Sequence, residues 1–437
     1  MLTVPGQRSA VLPVASAATL LVLMNFTAPM TVLGQIAGPL GASATEQTWL
    51  LSGISVGLAA LLLAAGSLAD NHGRRLVFVV GAAGLAASSV LSAVAWDPLA
   101  FTVGRVAQGA ASAALLATSL GLIGHAFPPG PERARAAGLW GAMLGGGITL
   151  GPIVAGALTD LTHWSVVYWL FALSAAVLAV LARLTLPESK SLAPQRLDVL
   201  GLITLGPGLA FLVAAVTGTR EGWARPGVLV PLALAVVLLG AFVRVESRAR
   251  APMLDLALFR RPAFLLAVGG ALFIGLAVIG LMSYLPTMVR NATGLSSLAV
   301  AGVFSLWSGT SFLASLHAKR LAGRFTDRHQ VVASLLVIAV AQVALLGAVD
   351  RHDWVRLVVA LPVAGVATGL LNATLARLAI GSVPADRSAM GSGANNTVRY
   401  LGSALGTAMV VAAGGGNGAI LMSAGMALVG AILAVLT

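Results

Sequence analysis

The sequence predicts an all-α integral membrane protein with fourteen transmembrane helices. Three observations lead there. Of the 437 residues, 58% are hydrophobic and 9% are charged, whereas a soluble domain carries roughly 25% charged residues. No soluble core needs so much apolar sequence, and in lipid the backbone polar groups are best satisfied inside helices. Fourteen apolar stretches then approach the length of about 20 residues that crosses the hydrocarbon. Finally, the basic residues alternate: nineteen of the 26 Lys and Arg fall on one set of connecting segments, five on the other, and Arg105 and Arg399 lie inside spans. That asymmetry places both termini in the cytosol.

The predicted spans are 12–34, 48–68, 76–95, 99–126, 134–158, 164–186, 199–218, 226–245, 263–288, 295–317, 330–349, 354–379, 388–412 and 417–436. Arg8 precedes a first apolar run too long for a signal-peptide core, so the first span is expected to stay uncleaved. The 51 glycines suit close helix packing in lipid. With no Cys there are no disulfides, thiolate metal sites or Cys nucleophiles. The net charge of +12 sits in the loops, where it sets topology and needs no nucleic-acid partner.

The spans fall into two blocks of six, over 12–186 and 263–436, with two extra spans between them. Polar segments 187–196 and 246–262 bracket the extra pair. The expected organisation is an N-terminal six-helix bundle over 1–190, two inserted helices with linkers over 191–262, and a C-terminal six-helix bundle over 263–437. Duplicated blocks of this kind are typical of transporters with halves related by a pseudo-two-fold axis along the membrane normal.

Motifs follow in chain order. The second and third spans are joined by Gly66-Ser67-Leu68-Ala69-Asp70-Asn71-His72-Gly73-Arg74-Arg75, and a degraded copy, Gly323-Arg324-Phe325-Thr326-Asp327-Arg328, follows the second span of the other block. Asp70 can sit near a helix end, Gly73 permits the turn, and the arginines hold the loop on the cytosolic face. The fourth span carries Arg105-Val106-Ala107-Gln108-Gly109. Arg105 lies one or two turns from the outer end, so it either snorkels outward or faces a central cavity. The fifth span spaces Gly138, Gly147, Gly151, Pro152 and Gly156 as Gly-x8-Gly-x3-Gly-Pro, with Ala155 before the last Gly. Gly147 and Gly151 share a helix face and admit a close neighbour, while Pro152 removes a backbone donor and bends the helix. Arg399 lies about twelve residues into the thirteenth span, near mid-bilayer at about 1.5 Å per residue. From there it either pairs with Asn395 or Asn396 or serves transport directly.

The order and spacing of these motifs resemble the major facilitator superfamily, in its fourteen-helix drug:proton antiporter (multidrug efflux) branch. Further likenesses are Asp198-Val199-Leu200-Gly201, Gly222-Trp223, Pro252-Met253-Leu254-Asp255-Leu256 and Asn395-Asn396-Thr397-Val398-Arg399 with Gly402 and Gly406. The resemblance covers nearly the whole chain. It implies a major facilitator fold, two six-helix bundles plus two inserted central helices. It implies a secondary active exporter that moves amphiphilic drugs or antibiotics out of the cytosol by alternating access in exchange for protons. Asp70, Gly73, Arg74 and Asp327 would then form a cytosolic gate, and the glycines of the fifth span with Pro152 an antiporter-motif hinge. Arg105, Gln108 and Arg399 would serve transport and coupling.

Asn25, Trp140, Met143, Phe273, Tyr284, Trp307 and Asn372 are candidates to line a broad apolar cavity, although most aromatic residues in membrane proteins face lipid or neighbouring helices. The chain departs from the branch in one place that matters. Leu23-Met24-Asn25-Phe26-Thr27 puts Asn25 where an acidic residue is usual. No acid lies in mid-membrane, so the usual carboxylate for proton exchange is missing. A cavity with buried positive charge suits neutral or anionic amphiphiles better than lipophilic cations.

The expected setting is a multi-pass protein of the inner cell membrane, a monomer in the bilayer, whose partners are a small amphiphilic substrate and protons. No cofactor and no metal is called for. A dedicated exporter of one endogenous metabolite, lipid or self-made antibiotic fits the same residues, and a non-transporting scaffold or sensor is the alternative of another class. Without a nucleophile–base pair, an embedded carboxylate or a Gly-Lys-Ser/Thr phosphate loop, the sequence gives no warrant for an enzyme or an ATP-driven pump.

Overall fold

The computed structural model describes residues 5–127, 131–189, 198–219, 222, 224–249, 252–318, 325–383 and 388–437. Every predicted span is helical. The first is split. Helix α1 (Pro5–Thr27) gives way to α2 (Pro29–Leu40), where Pro29 takes the first turn and Val32 leaves helical geometry at φ −120°, ψ 17°. Proline needs no backbone donor at that position, so the break costs no hydrogen bond there. The rest of the first block is α3 (Ala44–His72), α4 (Arg74–Ala93), α5 (Pro98–Ala126), α6 (Pro131–Leu161) and α7 (Trp164–Thr185). The inserted pair is α8 (Val199–Gly218) and α9 (Pro226–Glu246).

The second block also begins with an interrupted span: α10 (Pro262–Phe273), a π-helical stretch Ile274–Ile279, and α11 (Gly280–Thr293). A π-helical stretch frees backbone groups. The Ala277 carbonyl accepts from Gln342 Nε2 at 2.8 Å and from Ser423 Oγ, both buried. The block continues with α12 (Ser297–His317), α13 (Asp327–Ala344), α14 (Trp354–Gly381), α15 (Ser388–Ala412) and α16 (Gly416–Leu436). Among the described residues, twelve spans are long and apolar enough to cross a membrane on their own. The other two, α13 and α15, carry polar residues such as Gln330, Asn395 and Arg399 and are packed among the rest.

Acids at helix ends act as caps. Ser43 and Glu46 form a capping box, with Ser43 N donating to Glu46 Oε2 at 2.7 Å. Asp97 accepts from Ala100 N at 2.6 Å and Asp198 from Gly201 N at 2.7 Å. Such caps satisfy helix-start donors that have no partner within the helix.

Within the first block α3 packs on α5, α4 on α5 and α7, and α1 on α6; within the second, α12 and α13 pack on α14, and α15 on the π-helical stretch. The blocks meet where α15 crosses α3 and where α12 crosses α6. The inserted α8 leans on α3 and α15, and α9 lies outside it with Val236 and Val237 about two-thirds exposed. An apolar face left open in this way is what lipid covers. Phe101, Trp164 and Tyr168 stack edge to face, which puts the starts of α5 and α7 and the end of α6 at one end of the molecule, here the Asp97 end. The α3–α4 turn marks the opposite, Gly73 end.

Candidate functional site

The centre of the first block is a buried polar network around Arg105. Close approach of α3 and α5 fixes its helix: a Cβ on Gly109 would lie 2.1 Å from the Ile54 carbonyl oxygen, and one on Gly57 2.0 Å from that of Val106. No larger residue fits that crossing. Arg105, Gln108 and Asn25 are all fully buried. Arg105 Nη1 donates to Asn25 Oδ1 at 2.8 Å, to the Asn25 carbonyl at 3.0 Å and to Gln108 Oε1 at 2.7 Å. Its Nη2 reaches the Phe26 carbonyl at 3.4 Å. Gln108 Nε2 in turn donates to Ser92 Oγ at 3.2 Å and Ser89 Oγ at 3.3 Å. Every acceptor around the guanidinium is neutral. The network holds a cation by dipoles alone, which is how a charge without a counter-ion is best tolerated in a low-dielectric interior.

Asn25 therefore sits beside Arg105 rather than against open space. Ser89 and Ser92 were not among the expected residues, although with Ser88 they stand out on an apolar span, and their spacing of three puts them on one helix face.

Arg399 is placed differently. On α15, Asn395, Gly402 and Gly406 form a stripe against the ninth span: Asn395 Nδ2 donates to the Ala267 carbonyl at 2.9 Å, and Cβ atoms on Gly402 and Gly406 would lie 2.4 Å from Leu272 O and 2.3 Å from Leu276 O. A second stripe faces the first block, where Ser403 meets Ser55 at 3.2 Å and the Tyr400 ring meets Phe26 at 5.6 Å. Helical spacing sets Arg399 between the two stripes, on the line where the blocks meet. It is mostly buried, and among the described residues its one side-chain hydrogen bond runs from Nη2 to Asn395 Oδ1 at 3.4 Å. Its Nε has no partner.

In the fifth span, Gly147 and Gly151 seat α6 on α1, where Cβ atoms would lie 2.6 Å from the Leu20 and Met24 carbonyl oxygens. Thr27 and Thr31 hydroxyls donate to the Gly147 and Pro152 carbonyls at 3.5 and 3.3 Å. Gly156 instead faces the other block, against the backbone of Ser297. Gly138 has open space around it, and Trp140 and Met143 lie on a stretch, residues 137–146, with no fully buried residue. Trp140 Nε1 and Asn372 Oδ1 are buried without partners. Trp307 belongs to the second block's core, its Nε1 donating to Thr368 Oγ1 at 3.3 Å. Phe273 packs on Gly430 of α16 and edges a surface groove with Leu421, Met422 and Val429, and Tyr284 approaches Gly415. Neither contact is with the Arg105 network.

At the Gly73 end, Gly73 has φ 113°, a conformation other residues rarely adopt, and a Cβ there would lie 2.5 Å from Glu188 Oε1. Glu188 accepts from Arg75 N at 3.2 Å and pairs with Arg75 Nε at 3.6 Å. Arg74 N donates to the Ser189 carbonyl at 2.9 Å, and the Arg74 side chain lies over Gly121 of α5. The Asp70 side chain, Gly323 and Arg324 lie outside the described residues. Asp70 is in the last turn of α3, whereas Asp327 opens α13 and pairs with Arg377 of α14 at 3.2 Å. The two sequence copies thus sit on opposite sides of their turns.

A contact between the blocks at the Asp97 end was not anticipated. Asp160, one residue from the end of α6, accepts from Ser297 N at 3.1 Å and Leu298 N at 2.8 Å, the first residues of α12. Gln35 of α2 and Arg290 of α11 both donate to Ser297 Oγ. An acid near a helix C-terminus works against that helix's dipole, which was the available hint that Asp160 serves another helix.

The Major Facilitator Superfamily model matches residues 15–407. The chain belongs to that superfamily. As a major facilitator, it is 31% identical over 93% of its length to the probable actinorhodin transporter of Streptomyces coelicolor, covering 72% of that protein. It is 31% identical to the puromycin resistance protein pur8 of Streptomyces alboniger and 29% identical to the multidrug efflux pump LfrA of Mycolicibacterium smegmatis, covering 80% of each with 91% and 92% of its own length. The solved structure of the human organic anion transporter MFSD10 superposes with a TM-score of 0.66, covering 99% of this chain and 100% of that one at 18% identity. That likeness concerns the fold. The family places this major facilitator among transporters rather than enzymes.

Proposed function

We propose that this major facilitator is a secondary active exporter of amphiphilic drugs or antibiotics, working by alternating access in exchange for protons. Its relatives carry the reading of cargo and direction: proteins named for multidrug efflux and antibiotic resistance align with most of the chain. The single structural observation that supports it is the Arg105 network, a buried cation held at the core of one block. A lipid-facing scaffold has no need to meet that cost, about 3 kcal/mol on insertion scales. The basic loops support a cytosolic Gly73 end in an inner-membrane protein. The bundles are taken as residues 1–190 and 263–437 with the inserted pair between, acting as a monomer.

In the mechanism, the two bundles rock about a central site. The Asp160–α12 contact and the Gly156–Ser297 approach tie the outer end. The partly exposed stretch 137–144, with space at Gly138 and Gly141, opens the cytosolic half of α6 to substrate. Glu188 anchors the Gly73 turn, and Asp70 and Arg74 act with it at the cytosolic gate. Proton exchange uses groups other than a mid-span carboxylate.

The test uses proteoliposomes with an imposed pH gradient and ethidium and a neutral amphiphilic dye as cargo. Gradient-driven movement that Arg105→Ala abolishes is the expected result. Movement of neither dye sinks the multidrug reading and leaves the narrower one, export of a single self-made antibiotic. The actinorhodin relative makes that reading specific.

A further inference from the structure

Resting on the exporter reading, we infer that the substrate class is anionic amphiphiles, such as sulfonates, carboxylates or ionised phenols, and that Arg399 is the group that receives the anion. The charge inventory carries this. Among the described residues, every Asp and Glu lies at a helix end or between helices. The acids nearest the membrane interior are committed elsewhere. Asp160 caps α12, Asp198 caps α8, and Glu246 closes α9 and accepts from Leu254 N at 3.3 Å. Two arginines nevertheless lie within spans, and among the described residues neither has a carboxylate partner. Arg105 has spent its Nη donors on four neutral acceptors. Arg399 has five donors and one long bond. It sits eleven residues from the start of α15, roughly 16 Å of rise, too deep for its stem to carry the charge to the headgroups. It is mostly buried, with part of its surface accessible, between the two stripes at the junction of the bundles.

A guanidinium of this kind binds a carboxylate or sulfonate through paired N–H donors. It repels a lipophilic cation in the same space. An anionic cargo also changes the energetics. Export from a negative interior runs down the membrane potential, and about 100 mV, worth about 2.3 kcal/mol per charge, corresponds to roughly a 50-fold concentration ratio. No titrating carboxylate is needed for that driving force, so placing Asn25 where an acid is usual does not leave the transporter without a motor.

The experiment loads proteoliposomes with 8-anilinonaphthalene-1-sulfonate, a permanent anion, and imposes an interior-negative potassium–valinomycin potential at equal pH. Parallel vesicles carry ethidium under a pH gradient. The expected result is faster efflux of the sulfonate than from protein-free vesicles. Arg399→Gln slows it roughly tenfold and Arg399→Lys slows it less, as loss of a charge-assisted pair requires. Ethidium movement without sulfonate movement overturns the anion inference and leaves the exporter reading intact. Movement of neither overturns the anion inference and the multidrug reading together. Sulfonate efflux by Arg399→Gln at the wild-type rate removes Arg399 from the site. The wild-type comparison of the two dyes stands even if a variant fails to fold.

Discussion

Arg105 on α5 is surrounded by the carbonyls of Asn25 and Phe26 and the amide oxygens of Asn25 and Gln108, whereas Arg399 on α15 reaches a single amide oxygen at 3.4 Å. Both are charges inside a span with no acid beside them. The first has been built into the bundle, with serines behind it that hold its partners in place. The second stands at the junction of the bundles, with most of its donors unbonded among the described residues. Two residues that look alike in the sequence therefore have different surroundings, and with them different proposed duties: one to stabilise and position, the other to meet cargo.

Breaking the first site is the severest test of that contrast. Arg105→Met strands the Asn25 and Gln108 oxygens in an apolar core, at about 1–3 kcal/mol for each unsatisfied group. Thermal unfolding in detergent should show a large drop in melting temperature, and transport should vanish. Arg399→Met removes one weak bond and a solvation problem, so the same measurement should move little, by less than about 1 kcal/mol, while sulfonate efflux is lost. Asn25→Asp would sharpen the comparison by giving Arg105 a counter-ion. The variant should gain a pH-gradient-driven component relative to the potential-driven one, read from dye flux under each gradient alone.

Smaller effects are expected at the ends. Asp160→Asn weakens the cap on α12, a contribution of about 1 kcal/mol. In this naturally Cys-free chain, Leu298→Cys should then react with a membrane-impermeant maleimide about fivefold faster, the rate equivalent of that energy. Glu188→Gln weakens a partly exposed ion pair with Arg75 and should cost less than about 1 kcal/mol, slowing transport by less than about fivefold.

The spans were legible because their signal is length and apolarity, which local sequence carries in full. Arg105, Gln108 and Gly109 were legible for a related reason: a charge or a precise small-residue spacing inside an apolar run has few structural uses. What could not be read is what depends on a partner far along the chain. Asp160 and Ser297 are 137 residues apart, and nothing local to α6 says that its last turn will meet the start of α12. Glu188 was hidden in a polar linker, and the roles of Phe273 and Tyr284 depended on helix rotation, which an almost uniformly apolar span does not encode. The repeated loop misled in one detail. Equivalent letters at Asp70 and Asp327 fall on opposite sides of their turns because α3 runs on to His72, whereas α13 starts at Asp327 itself.

The two interrupted spans bear on how force passes through the molecule. Each break is pinned inside its own bundle. The Pro29 break is held to α6 by Thr27 and Thr31, and the π-helical stretch is held to α13 and α16 by Gln342 and Ser423. Neither can flex without tearing polar contacts in a dry interior, where replacements are scarce. They therefore act as stiffened joints rather than elbows. In the rocking mechanism proposed above, each bundle then turns as a stiff lever, and the movement is taken up in the seam between the two levers.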